Sequence, residues 1–154
     1  MKVKAAMARN PISIGPEASV GTALEVMRTN GIRHLPVVDE TDLLIGIVTD
    51  RDLRHAALAP ALEEFLPVRA QRHGRQIARA VENLRVRDIM TWAVVTTTPE
   101  APMLYAALVM VESRVGSLPV VENGHLVGLL TEHDVLKALM REENLAEFGA
   151  GDLW

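Results

Sequence analysis

No cysteine occurs in the 154 residues, which excludes a disulfide framework, a thiolate nucleophile, a zinc knuckle and a cysteine-held iron–sulfur cluster. Aromatics are nearly as scarce: Phe65, Trp92, Tyr105, Phe148 and Trp154 are all there are. A stacking platform for single-stranded nucleic acid needs more, and the core must be built from Val, Leu, Ile, Met and Ala. No run of 18 apolar residues is free of charge, so nothing reads as a membrane span. The opening stretch MKVKAAMARNPISIGP lacks the apolar segment of a secretory signal. A cytoplasmic protein without membrane association is the expectation. A large excess of one charge is also missing, with Lys+Arg 16 against Asp+Glu 20 and a formal net charge of −4. That balance disfavours nucleic acid and anionic membranes as partners. The five histidines (His34, His55, His73, His125, His133) show no i, i+4 metal pairing, so no metal site is expected. The sequence has no Gly-x-x-x-x-Gly-Lys, Gly-x-Gly-x-x-Gly or Gly-x-Ser-x-Gly string and no legible nucleophile–base arrangement. Catalysis has no support, and the protein is not expected to be an enzyme.

What is present is present twice. Leu-Pro-Val-Val stands at Leu35–Val38 and again at Leu118–Val121, and a Gly-h-h-Thr-x-x-Asp string, h being apolar, at Gly46–Asp52 and again at Gly128–Asp134. The first pair is offset by 83 residues and the second by 82. The 83 offset also matches Val3 with Val86, Met7 with Met90, Pro16-Glu17-Ala18 with Pro99-Glu100-Ala101, and Val26-Met27 with Val109-Met110. The residue lost falls in a turn between two strands, where a length change costs least. Asn123-Gly124 in the shorter copy is a strong hairpin signal, because a type I′ turn requires φ > 0 at both positions.

One repeat reads as β-α-β-β-α. A short extended piece (Pro11–Ile14; Val94–Thr97) leads to a helix, with Ser19 as N-cap in the first copy and Pro102 at the first helical position in the second. Val20, Ala23, Leu24 and Met27 recur at helical spacing, as do Met103, Ala106, Ala107 and Met110. Leu-Pro-Val-Val is extended, the hairpin returns through Leu44–Val48 or Leu126–Leu130, and a second helix begins at Thr-x-x-Asp. Met7, Met27, Met90 and Met110 read as core filling, not as a soft-metal site. The fold class is α/β (α+β), with residues 1–59 and 86–140 as the two repeats. Each is small for a core of its own, so the two are expected to share one. Residues 60–85 form an Arg-rich linker, partly helical, with Arg69, Arg72, Arg75 and Arg79 in its basic stretch, and residues 141–154 an acidic tail.

The Thr-x-x-Asp string has two readings. Thr as N-cap with Asp three residues on is a capping box, hydroxyl accepting from the Asp N–H and carboxylate reaching back. The same helix start offers N–H groups and a positive dipole end to an anion. An Asp one turn in repels a phosphate but can accept two hydrogen bonds from a sugar diol beside it, as an acidic residue does with a dinucleotide ribose. Together they fit a ribose phosphate.

The ensemble of proline plus helix, Leu-Pro-Val-Val, hairpin and Gly-h-h-Thr-x-x-Asp, with Thr-Asp-Arg-Asp-Leu at Thr49–Leu53, resembles a tandem pair of cystathionine-β-synthase-type (CBS) domains, a Bateman module. The resemblance implies two repeats packed with pseudo-twofold symmetry and clefts between them that take an adenosine ligand. AMP, ADP or ATP leads, with S-adenosylmethionine or NAD as alternatives, and a homodimer follows by the same likeness. It implies that Asp52 and Asp134 hold ribose hydroxyls, that Thr49 and Thr131 contact phosphate, and that the backbone at Ile12–Ser13 and Val95–Thr96 meets the adenine edge. Residues before Leu-Pro point at phosphate in such proteins; here they are Arg33-His34 in the first copy and Gly116-Ser117 in the second. Arg51 and His133, inside the two strings, sharpen that difference. The function implied is a regulatory sensor acting on a partner protein. The alternative is a ligand-free dimerisation scaffold or interaction module in which both strings are only helix caps.

Overall fold

The computed structural model describes residues 1–61 and 83–142. The central basic stretch and all but the first two residues of the acidic tail lie outside them. In chain order the elements are a 3₁₀ turn at Val3–Ala5, β1 (Ala8–Arg9), α1 (Val20–Asn30), β2 (His34–Val38), β3 (Leu44–Thr49) and α2 (Asp50–Ala61). There follow α3 (Val86–Ile89), α4 (Met103–Ser113), β4 (Ser117–Glu122), β5 (His125–Thr131) and α5 (Glu132–Glu142). The fold is α+β.

The chain divides into a continuous unit, Ile12–Val94, and a split unit made of Met1–Pro11 and Val95–Trp154. In the continuous unit β2 and β3 pair antiparallel, from His34 opposite Thr49 to Val38 opposite Leu44. A single parallel bridge joins Ile14 to Val37, and an antiparallel one joins Ile47 to Thr91. The split unit repeats the plan: β4 and β5 pair from Ser117 opposite Thr131 to Glu122 opposite His125, Thr97 bridges Val120, and β1 pairs with β5. Both hairpins shift register at the same place, Val37/Val38 and Val120/Val121.

The helices form for local reasons. The Ser19 side chain accepts from the Thr22 N–H at 3.0 Å, and Gly31 ends α1 with φ 63°, a left-handed position that suits glycine. Val20, Ala23 and Met27 are buried, which is the inner stripe of an amphipathic helix. In α4 the left-handed position falls to Arg114, φ 54°. Pro102 is the N-cap, not the first helical residue, and the helix starts at Met103. The cause is the bridge of Lys2 to Pro102, with the Met103 N–H donating to the Met1 carbonyl at 3.0 Å, which holds Pro102 extended at ψ 138°. Asn123 and Gly124 both take positive φ, 51° and 82°, as their turn demands. The longer first turn is organised by Asp39, whose Oδ1 accepts from the Thr41 and Leu43 N–H groups at 2.8 and 3.1 Å.

The units do not coincide with the sequence repeats, because the repeats exchange their leading segments. Val3 donates its N–H to the Ala101 carbonyl and Lys4 to the Pro99 carbonyl, both at 3.0 Å. Val86 and Arg87 make the matching bonds to Ala18 and Pro16, at 2.9 and 3.0 Å. Ion pairs follow the same symmetry: Lys2 and Lys4 meet Glu100, and Arg87 meets Glu17. Hydrogen bonds from the two lysines hold the Glu100 carboxyl down at about 2. Among the described residues the core is two clusters, in place of the single shared one expected. One contains Ile14, Leu35, Val48, Leu53, Val86 and Met90; the other contains Val3, Met110, Leu118, Leu130 and Val135. Val3 and Val86 are fully buried, so each cluster is completed by a residue from the segment that precedes the other repeat. Met27, Met90 and Met110 are core residues, and Met7 packs against the second cluster.

Candidate functional site

Each repeated Thr-x-x-Asp string ends a strand and starts a helix, and the two are built alike. Thr49 donates its N–H to Asp52 Oδ2 at 2.9 Å and its hydroxyl to the same oxygen at 2.7 Å. The Asp52 N–H donates back to Thr49 Oγ1 at 3.3 Å. At Thr131 and Asp134 the corresponding distances are 2.9, 2.6 and 3.3 Å. This is the reciprocal box expected of the string. All four side chains are half-buried. Two bonds fall on Oδ2 of each carboxylate, and Oδ1 takes part in neither, so an acceptor remains at the helix start. The threonine hydroxyl hydrogen, by contrast, is already directed at the carboxylate.

The residue two before Leu-Pro belongs to the same corner. The Asp50 N–H, at the first position of α2, donates to the Arg33 carbonyl at 3.0 Å, and the Glu132 N–H donates to the Gly116 carbonyl at 3.1 Å. His34 stands opposite Thr49 in the hairpin and Ser117 opposite Thr131. The structure thus gathers Arg33, His34, Thr49, Arg51 and Asp52 at one corner of the continuous unit. It gathers Gly116, Ser117, Thr131, His133 and Asp134 at the matching corner of the split unit. Arg33, Arg51 and His133 are exposed, and His34 is half-buried. Of the residues named, the first corner carries two arginines and the second none, with Arg114 lining a cavity beside Glu132 at the second helix start.

The extended segments lie on the far edge of the Leu-Pro strand. Ile14 donates its N–H to the Pro36 carbonyl and accepts from the Val38 N–H, both at 3.0 Å. Thr97 does the same with Pro119 and Val121. Ile12 and Ser13 are exposed, Val95 half-buried and Thr96 exposed. Ser13 lines a cavity of about 400 Å³ together with Glu17, Asp39 and Glu40, an acidic setting that does not suit an anion. A second cavity, of about 480 Å³, lies between α4 and α5. Neither contains Thr49, Asp52, Thr131 or Asp134.

Two features were not anticipated. The glycine of the repeated string is a point of close approach: a Cβ on Gly46 would lie 2.5 Å from Met90 Sδ and 3.1 Å from the Thr91 carbonyl oxygen. On Gly128 it would lie 2.5 Å from Met7 Sδ and 3.1 Å from the Ala8 carbonyl oxygen. The matched offsets of Met7 with Met90 and Gly46 with Gly128 held that signal. The second feature is the Thr97 hydroxyl, buried with no hydrogen-bond partner. Among the described residues no group of three or more His, Cys, Asp or Glu is gathered for a metal, and no helix is long and apolar enough to cross a membrane.

A duplicated β-α-β-β-α plan with a Thr-x-x-Asp box at each second helix defines a pair of CBS domains. The CBS domain profile matches residues 3–59 and 86–141, and the chain belongs to that family. It is 34% identical over 140 residues to a CBS domain-containing protein of Dictyostelium discoideum, spanning 90% of this chain and 91% of that one. The crystal structure of CBSX2 in complex with AMP matches at a TM-score of 0.75 and 26% identity, over 92% of this chain and 98% of that one; CBSX2 is from Arabidopsis thaliana. The CBS domain pair of protein MJ0100, in complex with 5′-methylthioadenosine and S-adenosyl-L-methionine, matches at 0.71 and 26%, over 90% and 99% of the two chains.

Proposed function

We propose that this CBS pair is a cytoplasmic regulatory module of the Bateman type that binds an adenosine ligand, AMP, ADP or ATP first, and has no catalysis of its own. The carrying observation is the duplicated half-buried carboxylate whose Oδ2 is committed to the helix start while Oδ1 is not. In this reading Asp52 and Asp134 accept from ribose hydroxyls through Oδ1. Thr49 and Thr131 reach phosphate by turning the hydroxyl hydrogen away from the carboxylate, which keeps its bond from the backbone N–H. The backbone at Ile12–Ser13 and Val95–Thr96 meets the adenine edge. Arg33, His34 and Arg51 make the first corner the more cationic, so it takes the more highly charged phosphate, while Gly116, Ser117 and His133 leave the second for a less anionic ligand. The adenosine ligands held by CBSX2 and by MJ0100 support the ligand class. As an energy sensor the module switches because the ligand binds one of its conformations more tightly than another, and the output is contact with a second copy or with a regulated protein.

A thermal-shift series with AMP, ADP, ATP, S-adenosylmethionine and NAD tests the reading. A ligand at 100 times its Kd stabilises by about 2.7 kcal/mol, which for a chain of this size raises Tm by roughly 5–10 °C. Because Asp52 and Asp134 also cap helices, the quantity to read is the ligand-induced shift and not the basal Tm. In an Asp52→Asn/Asp134→Asn double variant that shift is expected to vanish, and a shift that persists overturns the residue assignment. The second reading, a ligand-free scaffold, is favoured by one observation: each box closes on itself as a helix cap, the Asp N–H donating back to the threonine hydroxyl. It is the outcome if none of the five compounds shifts Tm.

A further inference from the structure

The chain has seven methionines, and the fold grades them by access to solvent. Met27, Met90, Met103 and Met110 lie inside the two core clusters, each exposed by no more than 6%. Met1 and Met140 are exposed by 48% and 52%, so water surrounds much of each side chain. Met7 falls between these classes. It is half-buried and packs against the second cluster, and its Sδ fills the space over Gly128, 2.5 Å from where a Cβ would stand. Its repeat equivalent, Met90, makes the same contact with Gly46 but is closed off in the core. Of the seven, Met7 alone is both open to a small solute and seated against a strand where even a methyl group does not fit.

A thioether in that position is open to peroxide. The sulfur lone pair attacks one peroxide oxygen, an S–O bond forms as the O–O bond breaks, the other oxygen leaves as water, and sulfur gives up two electrons. The product is a polar, chiral sulfoxide in place of a flexible apolar side chain. Gly128 offers it no room, because it lies in the middle strand of the sheet, with Arg9 on one side and Val120 on the other. A sulfoxide kept there is an unpaired polar group against the core, which is costly; one that swings out to water leaves a gap over the glycine. Either way β1 loses the contact beneath it. β1 is two exposed residues at the edge of the sheet, and the ion pairs of its leading segment, Lys2 and Lys4 with Glu100, are at the surface and contribute little. Such an edge is where local opening begins. The strand it opens from, β5, ends at Thr131, the first residue of the second Thr-x-x-Asp box.

We infer that Met7 is an oxidation site whose conversion to the sulfoxide by a peroxide releases β1 from the edge of the split unit, and that Met90 is its protected counterpart. The inference does not depend on any ligand. The test treats the full chain with hydrogen peroxide, locates the added oxygen by peptide mass mapping and follows amide hydrogen exchange. Met7 is expected to oxidise at least about tenfold faster than Met90. Exchange in β1 of the oxidised chain is expected to rise at least about tenfold, while Thr91, at the matching position beside Met90, keeps its protection. Met1 and Met140 oxidise as well, so the comparison is with Met7→Leu, which retains both: its β1 is expected to stay protected before and after peroxide. Met7→Gln, polar and of similar length, is expected to raise β1 exchange with no peroxide added. Reductases acting on both sulfoxide epimers should restore protection in the oxidised wild type. Oxidation of Met7 no faster than that of Met90, unchanged β1 protection in a chain carrying the Met7 sulfoxide, or an equal response from Met7→Leu would each overturn the inference. Failure of the nucleotide series leaves this result untouched, and failure here leaves the nucleotide result untouched.

Discussion

Thr97 sits where the first repeat has Ile14, on the same parallel bridge to the Leu-Pro strand and with the same two backbone hydrogen bonds. It is 6% exposed, and its hydroxyl oxygen is buried without a partner. An unsatisfied buried hydroxyl costs about 1–3 kcal/mol, whereas a β-branched apolar residue of equal size keeps the extended backbone and the packing. Thr97→Val is therefore expected to stabilise the split unit by about 1 kcal/mol, read as a rise in the urea midpoint at unchanged m-value. A fall in the midpoint would mean that the hydroxyl has a partner after all. The position was legible in the repeat alignment, as an Ile matched by a Thr, but its burial was not. Likewise Thr49 and Asp52 were legible as a cap or a ribose site, since spacing places them on one helix turn. Which carboxylate oxygen the cap consumes is a matter of torsion angles, and those are set only once the strand before the helix is paired.

At the scale of elements the repeat was plain in the sequence, and the hairpins, the Ser19 cap and the Thr-x-x-Asp helix starts followed from local chemistry. The exchange of leading segments did not. Val3 and Val86 occupy equivalent positions, so an offset of 83 is the same whether each segment joins its own repeat or the other one. What decides is packing, and the glycines are where it is tightest. Gly46 leaves room for Met90 and the Thr91 carbonyl, and Gly128 for Met7 and the Ala8 carbonyl. The methionine can swing aside, but the carbonyl belongs to backbone that is paired with the same strand. Gly46→Ala and Gly128→Ala are each expected to cost about 1–3 kcal/mol through overpacking. Amide hydrogen exchange should speed up in the displaced segment, at Thr91 for the first and in β1 for the second. Unchanged protection there would mean that the segments tolerate the methyl by a smaller adjustment.

For the whole molecule, the exchange decides what counts as a folding unit. The family profile marks residues 3–59 as one domain, yet that stretch contains neither Val86 nor Met90, which belong to its core cluster, nor Thr91, which pairs with β3. Residues 12–94 contain every member of that cluster, together with the Arg87–Glu17 pair that secures α3. A stretch of fewer than 60 residues is marginal even with its core complete. One that lacks a fully buried valine and a buried methionine loses on the order of 2–5 kcal/mol for a large deletion of this kind, comparable to the entire stability of a small domain. The fragment 1–59 is therefore expected to show no cooperative urea transition, while 12–94, although it begins and ends at no repeat boundary, unfolds cooperatively. Adding a peptide of residues 83–94 to the 1–59 fragment should restore a transition, since the missing side chains and strand partner arrive together. A cooperative transition in 1–59 alone would show that the leading segment is dispensable and that the exchange is not what closes the core.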